Sequence, residues 1–159
     1  MATSTVLPNM GQLFITGASP EPDNLESGPL TTYGAGLTSF SFWLRKSSGS
    51  GTVSGTVSIN IYAGDYSTGA TGSVLATSTV DVAVLETYTN WFEMIFQFPT
   101  PVSLTDGTLY FAQFDFSSLS GVVDFSGGGP ETVTTWGAHD GAFHYTNSNL
   151  TFRATFADT

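Results

Sequence analysis

Apolar and polar residues alternate along most of this chain with the two-residue period of β-strands. In the run LTSFSFWLRK at 37–46, Phe40, Phe42 and Leu44 share one face of the predicted strand. Further runs of this kind, rich in aromatic and β-branched residues, occupy residues 12–16, 57–61, 74–84, 91–98, 109–116 and 149–156. No window carries the i, i+3, i+4, i+7 stripe of an amphipathic helix. The pattern predicts an all-β sandwich or barrel of about eight or nine short strands.

Stretches rich in Gly, Ser and Pro separate these runs. The longest, GASPEPDNLESGPLTTYGAG at 17–36, predicts an irregular loop, and AGDYSTGATGS at 63–73 predicts a second one. The pair Asp106-Gly107 predicts a hairpin turn that leads into the run at 109–116.

The length of 159 residues suits one domain. We expect residues 37–159 to form the core of the sandwich and residues 1–36 to form an extended N-terminal arm and loop. The chain has no cysteine, which excludes disulfides, thiolate metal ligands and a Cys nucleophile. Its first residues, MATSTVLPNMGQLFITG, lack the basic region and the apolar core of a secretory signal. We therefore expect synthesis in a cytoplasm without a signal peptide.

Thirteen acidic residues against three basic ones give the chain a net charge of −10. Arg45, Lys46 and Arg153 are too few to follow a phosphate backbone, so we expect no nucleic-acid partner. We expect no membrane partner either, because anionic lipid attracts basic segments and no apolar run approaches the ~20 residues that span a bilayer. The acidity keeps a protein soluble, and it also favours a basic partner.

Several predicted strands carry large apolar residues on both faces, although a free-standing sandwich shows water one polar face per sheet. The apolar residues opposite the predicted core are Trp43, Trp91, Ile95, Leu109 and Phe111. The chain has one lysine and its prolines flank predicted loops, so few residues of the kind that usually guards an edge strand are available. Either loops cover these side chains or a partner does. We expect self-association or a larger assembly, with these five residues as interface anchors.

The sequence offers no reaction centre. A nucleophile needs a neighbouring base, yet there are only two histidines, His139 and His144, and no G-x-S-x-G motif. Glu93, Asp115 and Asp124 lie on predicted strands opposite the aromatic faces, which is typical of solvent-facing side chains. That placement does not favour the paired carboxylates of a glycosidase. We therefore predict no catalytic residue and no enzymatic activity.

Two short segments resemble metal sites in composition alone. HDGAFH at 139–144 holds two histidines and an aspartate, but an Asp-Gly turn explains that aspartate by itself. EPDNLE at 21–26 gathers Glu21, Asp23, Asn24 and Glu26 without the spacing of a recognised calcium loop. No metal ligand and no cofactor are predicted from these segments, and a bound calcium stays an unassigned alternative.

Aromatic residues near the Gly-rich loops are the best sugar-binding feature of the sequence. Trp136 and Tyr145 could stack on sugar rings while His139 and Asp140 hold hydroxyl groups. Aromatic residues at strand ends also close the core of many sandwiches. The alternative interpretation is therefore that these aromatic residues pack in the core and bind no sugar.

The middle of the chain is similar to a recurring jelly-roll pattern. LTSFSFWLRKSS is followed by VSINIYAGDYSTGATGSVLATSTV and then by NWFEMIFQFPTPVSLTDGTLYFAQFDF. This succession resembles carbohydrate-binding-module-like and choice-of-anchor jelly-roll domains, and it covers residues 37–116 best. The resemblance implies an antiparallel jelly-roll β-sandwich. It specifies a fold well and a function poorly.

Such domains occur in secreted bacterial proteins and in bacteriophage virion proteins. The resemblance, joined to the absence of a predicted signal, implies a non-enzymatic virion component, a capsid decoration or cement protein at the virion surface. Its expected partners are further copies of itself, for example in a trimer. The major capsid protein or another virion protein is a further expected partner. The alternative is a carbohydrate-binding module or adhesin domain that recognises surface glycans.

Overall fold

The structure is a computed structural model. It describes residues 10–15, 36–65, 68–105, 107–126, 138–139, 144–145, 150 and 152–157. At residues 12, 15, 138, 139, 144 and 145 it describes the backbone alone. Within this part of the chain, two antiparallel sheets pack together as a β-sandwich. The predicted all-β class and the antiparallel sandwich are confirmed, and the jelly-roll connectivity stays a prediction.

The described residues form eleven strands and one short 3-10 turn, Ala83–Glu86. The strands are β1 (Gly11–Ile15), β2 (Leu37–Lys46), β3 (Ser54–Asp65), β4 (Gly69–Asp81), β5 (Phe92–Val102), β6 (Leu109–Asp115), β7 (Leu119–Ser120), β8 (Val123–Phe125), β9 (Ala138–His139), β10 (His144–Tyr145) and β11 (Phe152–Phe156). The number exceeds the predicted eight or nine because β7, β9 and β10 have two residues each. A two-residue strand is too short to show alternation.

The larger sheet, sheet A, has seven strands. Six of them lie side by side in the order β10-β9-β1-β6-β3-β4, and the seventh, β7, also pairs with β3. The smaller sheet, sheet B, has four strands in the order β11-β2-β5, with β8 also pairing β2. β1 lies inside sheet A, so residues 11–15 belong to the sandwich and not to an arm. The rest of the predicted arm, apart from Met10 and Gly36, lies outside the described residues.

Aromatic rings from both sheets fill the core. Phe42 of sheet B lies with its ring centroid 4.4 Å from that of Phe114 in sheet A. It also neighbours the rings of Phe40, Phe96 and Phe152 within its own sheet. These ring pairs are tilted or edge-on, the geometry that the ring quadrupoles favour. The predicted core faces of β2, β5 and β6 are confirmed, because these rings are buried.

The connection through Asp106-Gly107 is not a hairpin, so that prediction is wrong. β5 belongs to sheet B and β6 to sheet A, and the chain crosses between the sheets here. Gly107 has φ +71°, which a glycine adopts without strain. A turn dipeptide marks a reversal of the chain but does not specify whether the next strand pairs with the last one or crosses to the facing sheet.

The predicted boundaries around β4 are also wrong. The second Gly-rich loop was expected at 63–73, but β3 continues to Asp65 and β4 starts at Gly69. At its other end, the strand expected to reach residue 84 stops at Asp81. The Asp81 carboxylate accepts the Ala83 N–H at 2.7 Å, and the 3-10 turn begins there. This side-chain bond competes with the strand ladder.

β4 and β5 are the outermost strands on one side of their sheets within the described residues, and both are interrupted in the same way. In β4, residues 72–75 stand opposite the single residue Tyr62. In β5, residues 98–101 stand opposite Thr38. We call these two unpaired segments, residues 72–75 and 98–101, the excursions of β4 and β5. They interrupt the row of backbone N–H and C=O groups with which a further strand could pair. Pro99 and Pro101 lie in β5, so two of the chain's prolines are at an edge strand.

The packing around Phe42 generates a stability prediction. Phe42→Ala should lower the free energy of unfolding by about 3–5 kcal/mol, because it removes buried ring contacts and leaves a cavity between the sheets. Urea unfolding followed by fluorescence measures the loss. Val74→Ala is the matched control, since Val74 is exposed and should change stability by no more than about 0.5 kcal/mol. A loss below about 1 kcal/mol for Phe42→Ala would contradict this description of the core.

Candidate functional site

The side chains of sheet B that point away from the core form a surface that we call the outer face of sheet B. Strand alternation places them there, since their neighbours in sequence fill the core. They are Ser39, Ser41, Trp43, Arg45, Trp91, Glu93, Ile95, Gln97, Asp124, Arg153 and Thr155. This face holds two of the three tryptophans and two of the three basic residues of the chain.

Arg45 is fixed in this face from two sides. Its Nε donates to Asp124 Oδ2 at 3.2 Å, and the two residues are cross-strand partners of β2 and β8. Its guanidinium carbon lies 4.3 Å from the ring centroid of Trp91, a cation–π distance. The Arg45 side chain is 42% exposed and that of Asp124 only 11%. The cation therefore forms the outer layer, and its carboxylate lies beneath it.

Arg153 repeats this arrangement on the neighbouring strand. Its Nη1 lies 3.1 Å from Glu93 Oε1, and the Ser41 hydroxyl donates to the same oxygen at 2.7 Å. Its guanidinium carbon lies 5.4 Å from the ring centroid of Trp43. Register explains the contact, because Ser41 of β2 is the cross-strand partner of Arg153. A carboxylate thus links β5 to β11 across the strand between them.

Lys46, the remaining basic residue, ties the 3-10 turn to the end of β2. Its Nζ lies 2.8 Å from Glu86 Oε2, and the backbone N–H of Val53 donates to the other oxygen of Glu86. The hydrogen bonds from Lys46 and Val53 hold the pKa of Glu86 below its usual value. Each of the three basic residues of the chain is therefore paired with a carboxylate of the same chain.

Two of the predicted apolar anchors are accessible on this face. Ile95 is 44% exposed and Trp91 is 39% exposed, so their predicted outward direction is confirmed. Trp43 also points outward but is half-buried. Ile95 and Trp43 lie in strands whose backbone the ladder holds, while Trp91 immediately precedes β5 and contacts Arg45. Ordered side chains lose little freedom when a partner binds.

The other two predicted anchors, Leu109 and Phe111, lie on the outer face of sheet A. Of the two alternatives for Phe111, the structure shows cover by the same chain, so its prediction as an interface anchor is wrong. Phe111 is 0% exposed, as is its cross-strand partner Leu13, and neither belongs to the main core between the sheets. Leu109 is half-buried. Alternation specifies the face of a sheet on which a side chain lies, but it does not show whether the same chain covers that face.

The carboxylates on strands differ from their predicted surroundings. Asp124 was expected to face solvent, but it is buried under Arg45. Glu93 is partly buried and ion-paired. Asp115 does face solvent, and hydrogen bonds from the hydroxyl and the N–H of Ser117 hold its pKa below the usual value. Sequence reasoning missed both Arg–carboxylate pairs, because their members lie 60 or more residues apart.

The predicted sugar-binding residues are not brought into a described site. Trp136 and Asp140 lie outside the described residues. The backbones of His139 and Tyr145 lie in β9 and β10, opposite His144 and Ala138 respectively. The acidic segment at 21–26 also lies outside the described residues.

An open groove of about 540 Å³ lies between the two edge excursions. Its lining is mainly apolar, with Leu75 and Phe98 beside Pro99 and Pro101. Within the described residues no group of three or more His, Asp or Glu side chains could hold a metal ion. No helix in that part of the chain has the length and apolar character to cross a membrane. Comparisons of the chain with protein-family models, curated proteins and solved structures found no match.

The Arg45–Asp124 pair predicts a pattern in a double-mutant series. Arg45→Gln should lower the free energy of unfolding by about 1–2 kcal/mol, because it leaves a buried carboxylate without its cation. Adding Asp124→Asn should recover most of that loss, since a neutral amide replaces the uncompensated charge. Urea unfolding of the three variants measures both steps. A double variant no more stable than Arg45→Gln would contradict the pairing.

The Glu86 contacts predict a pH dependence. A carboxyl whose pKa is lowered on folding stabilises the native state above its unfolded value, near 4.5, and this contribution disappears as the pH falls through the folded pKa. Glu86→Gln should therefore flatten the fall in stability below about pH 4.5. Urea midpoints measured between about pH 6 and pH 3 test this. The same acid slope in the variant and in the parent would show that Glu86 does not contribute.

Proposed function

We propose that this protein is a non-enzymatic structural protein that assembles through the outer face of sheet B, as a capsid decoration or cement protein of a bacteriophage virion. The observation that carries the proposal is the exposure of Trp91 and Ile95 on a strand face whose charged side chains are already paired. Its partners are further copies of the chain and the major capsid protein or another virion protein.

The composition of this face supports docking to protein. Interfaces concentrate their binding energy in Trp, Tyr and Arg side chains that are surrounded by polar residues. Here Ile95 lies beside the polar Ser41, its cross-strand partner in β2. The guanidinium of Arg45 lies over the ring of Trp91. The ion pairs fix both arginines before any partner arrives, which lowers the entropic cost of binding.

Two edge strands of the sandwich, β4 and β5, favour docking by a face and not by strand addition. The excursions at 72–75 and 98–101 interrupt β4 and β5, and the Ser78 hydroxyl donates to the Gln97 carbonyl at 2.7 Å across the gap between the sheets. The Gln97 carbonyl, a backbone acceptor of β5, is therefore already in a hydrogen bond. The virion setting of the proposal rests on the resemblance of residues 37–116 to jelly-roll domains.

The carbohydrate-binding alternative finds less support on this face. A sugar ring stacks on an exposed aromatic face, but a guanidinium already lies over one face of Trp91 and of Trp43. The alternative thus depends on Trp136, His139, Asp140 and Tyr145. A glycan array with Trp136→Ala as its control tests it directly.

Ile95→Asp tests the proposed function. Size-exclusion chromatography with light scattering should show the parent protein as an assembly above the protomer mass of 16.8 kDa, and Ile95→Asp as the protomer. The physical reason is that a carboxylate in the centre of an apolar contact remains without a partner. Val74→Asp is the matched control, because Val74 is equally exposed but lies on β4, and it should leave the assembly intact.

Two results would contradict the proposal. One is a parent protein that stays at 16.8 kDa at every concentration at which it is soluble. The other is an assembly that Ile95→Asp leaves unchanged.

A further inference from the structure

The two outer faces of the sandwich differ in charge and in polarity. The outer face of sheet B presents arginine and tryptophan, as described above. On sheet A, the outer face is polar and acidic beside the first half of β3, at the end away from Leu109 and Phe111. The outward side chains there include Ser58, Asn60, Thr77, Thr79, Asp81 and Asp115. We call this surface the acidic face.

Hydrogen bonds across the strands order the acidic face. The hydroxyl oxygens of Ser58 and Thr79 lie 2.6 Å apart, and Thr77 Oγ1 donates to Asn60 Oδ1 at 2.6 Å. Asp81 and Asp115 stand at the same end of this array, because both lie next to β3 near its beginning. The carboxylates are therefore presented by a regular sheet and not by loops.

Neither carboxylate is ion-paired among the residues that the structure describes. Asp81 accepts the Ala83 N–H and Asp115 accepts the Ser117 N–H, each through Oδ1. All three basic residues of the chain are paired with other acids. Both residues are exposed, and neither carboxylate is in a salt bridge within the described part of the chain.

Arg45 supplies the complementary group. It bonds Asp124 through Nε alone, and its two terminal amino groups meet no hydrogen-bond acceptor in the described part of the chain. Trp91 and Asp124 hold the guanidinium in one orientation. A guanidinium fixed in this way binds a carboxylate by two parallel hydrogen bonds.

We propose that the outer face of sheet B in one copy binds the acidic face of a second copy, with Arg45 paired to one of the two carboxylates of that face, Asp81 or Asp115. This inference rests on the proposed function and adds the partner and the geometry. Contacts between two different faces are heterologous, so they build a ring or an open chain and not a two-fold dimer. A two-fold contact between sheet B faces would bring arginines together and leave Asp81 and Asp115 without a cation.

Two double variants test the inference while keeping the fold. Asp81→Asn with Asp115→Asn removes both charges but retains an acceptor for each local N–H. Arg45→Gln with Asp124→Asn removes the guanidinium and its buried carboxylate together. By light scattering, each double variant alone should run at the protomer mass of 16.8 kDa. Urea unfolding checks that both remain folded.

Mixing the two variants in equal amounts should restore a complex. The intact Arg45 face of the first variant can bind the intact acidic face of the second. A complex of two copies should form, and it should not grow further because its other two faces are blocked. Lys46→Gln is the charge control, because Lys46 pairs with Glu86 outside both faces and its loss should leave the assembly intact.

The outcomes separate this inference from the proposed function. If the Asp81→Asn, Asp115→Asn variant assembles like the parent, or if the mixture stays at the protomer mass, the heterologous contact is wrong. The effect of Ile95→Asp would still support docking through sheet B in that case. If Ile95→Asp has no effect, the proposed function itself fails.

Discussion

The packing of Phe42 between the sheets is the interaction on which the rest of this structure depends. Its ring meets Phe114 of the facing sheet and three further phenylalanines of its own sheet. Burying each such side chain contributes roughly 2–3 kcal/mol. Because β2 points Phe42 inward, strict alternation points Trp43 and Arg45 outward. The core therefore determines which residues the outer face of sheet B presents.

The chemistry of that face follows from a shortage of cations. With three basic residues against thirteen acidic ones, each cation has many carboxylates available, and each is paired within the chain. The two arginines lie outside their carboxylates and over tryptophan rings. Asp81 and Asp115 are in no salt bridge within the described residues. A protein of this kind has one face rich in arginine and aromatic rings and a surplus of acid elsewhere, which is the asymmetry that the proposed assembly uses.

Local alternation predicted the sandwich, its core faces and the outward direction of Trp91 and Ile95. It left open whether the chain itself covers Phe111, and it did not predict that Asp124 is buried under Arg45. These features depend on residues far apart in sequence, for example the 79 positions that separate Arg45 from Asp124. The crossing between sheets after β5 was missed for the same reason, since a turn signal is local and strand pairing is not.

The central claim is that assembly buries the outer face of sheet B. Hydroxyl-radical footprinting of the unmodified protein, from dilute to concentrated solution, tests it without any substitution. The account predicts that oxidation of Trp91 falls as the protomers associate, while oxidation of Leu75, an equally accessible residue at the excursion of β4, stays constant. Assembled protein in which Trp91 is oxidised as fast as in the protomer would contradict it.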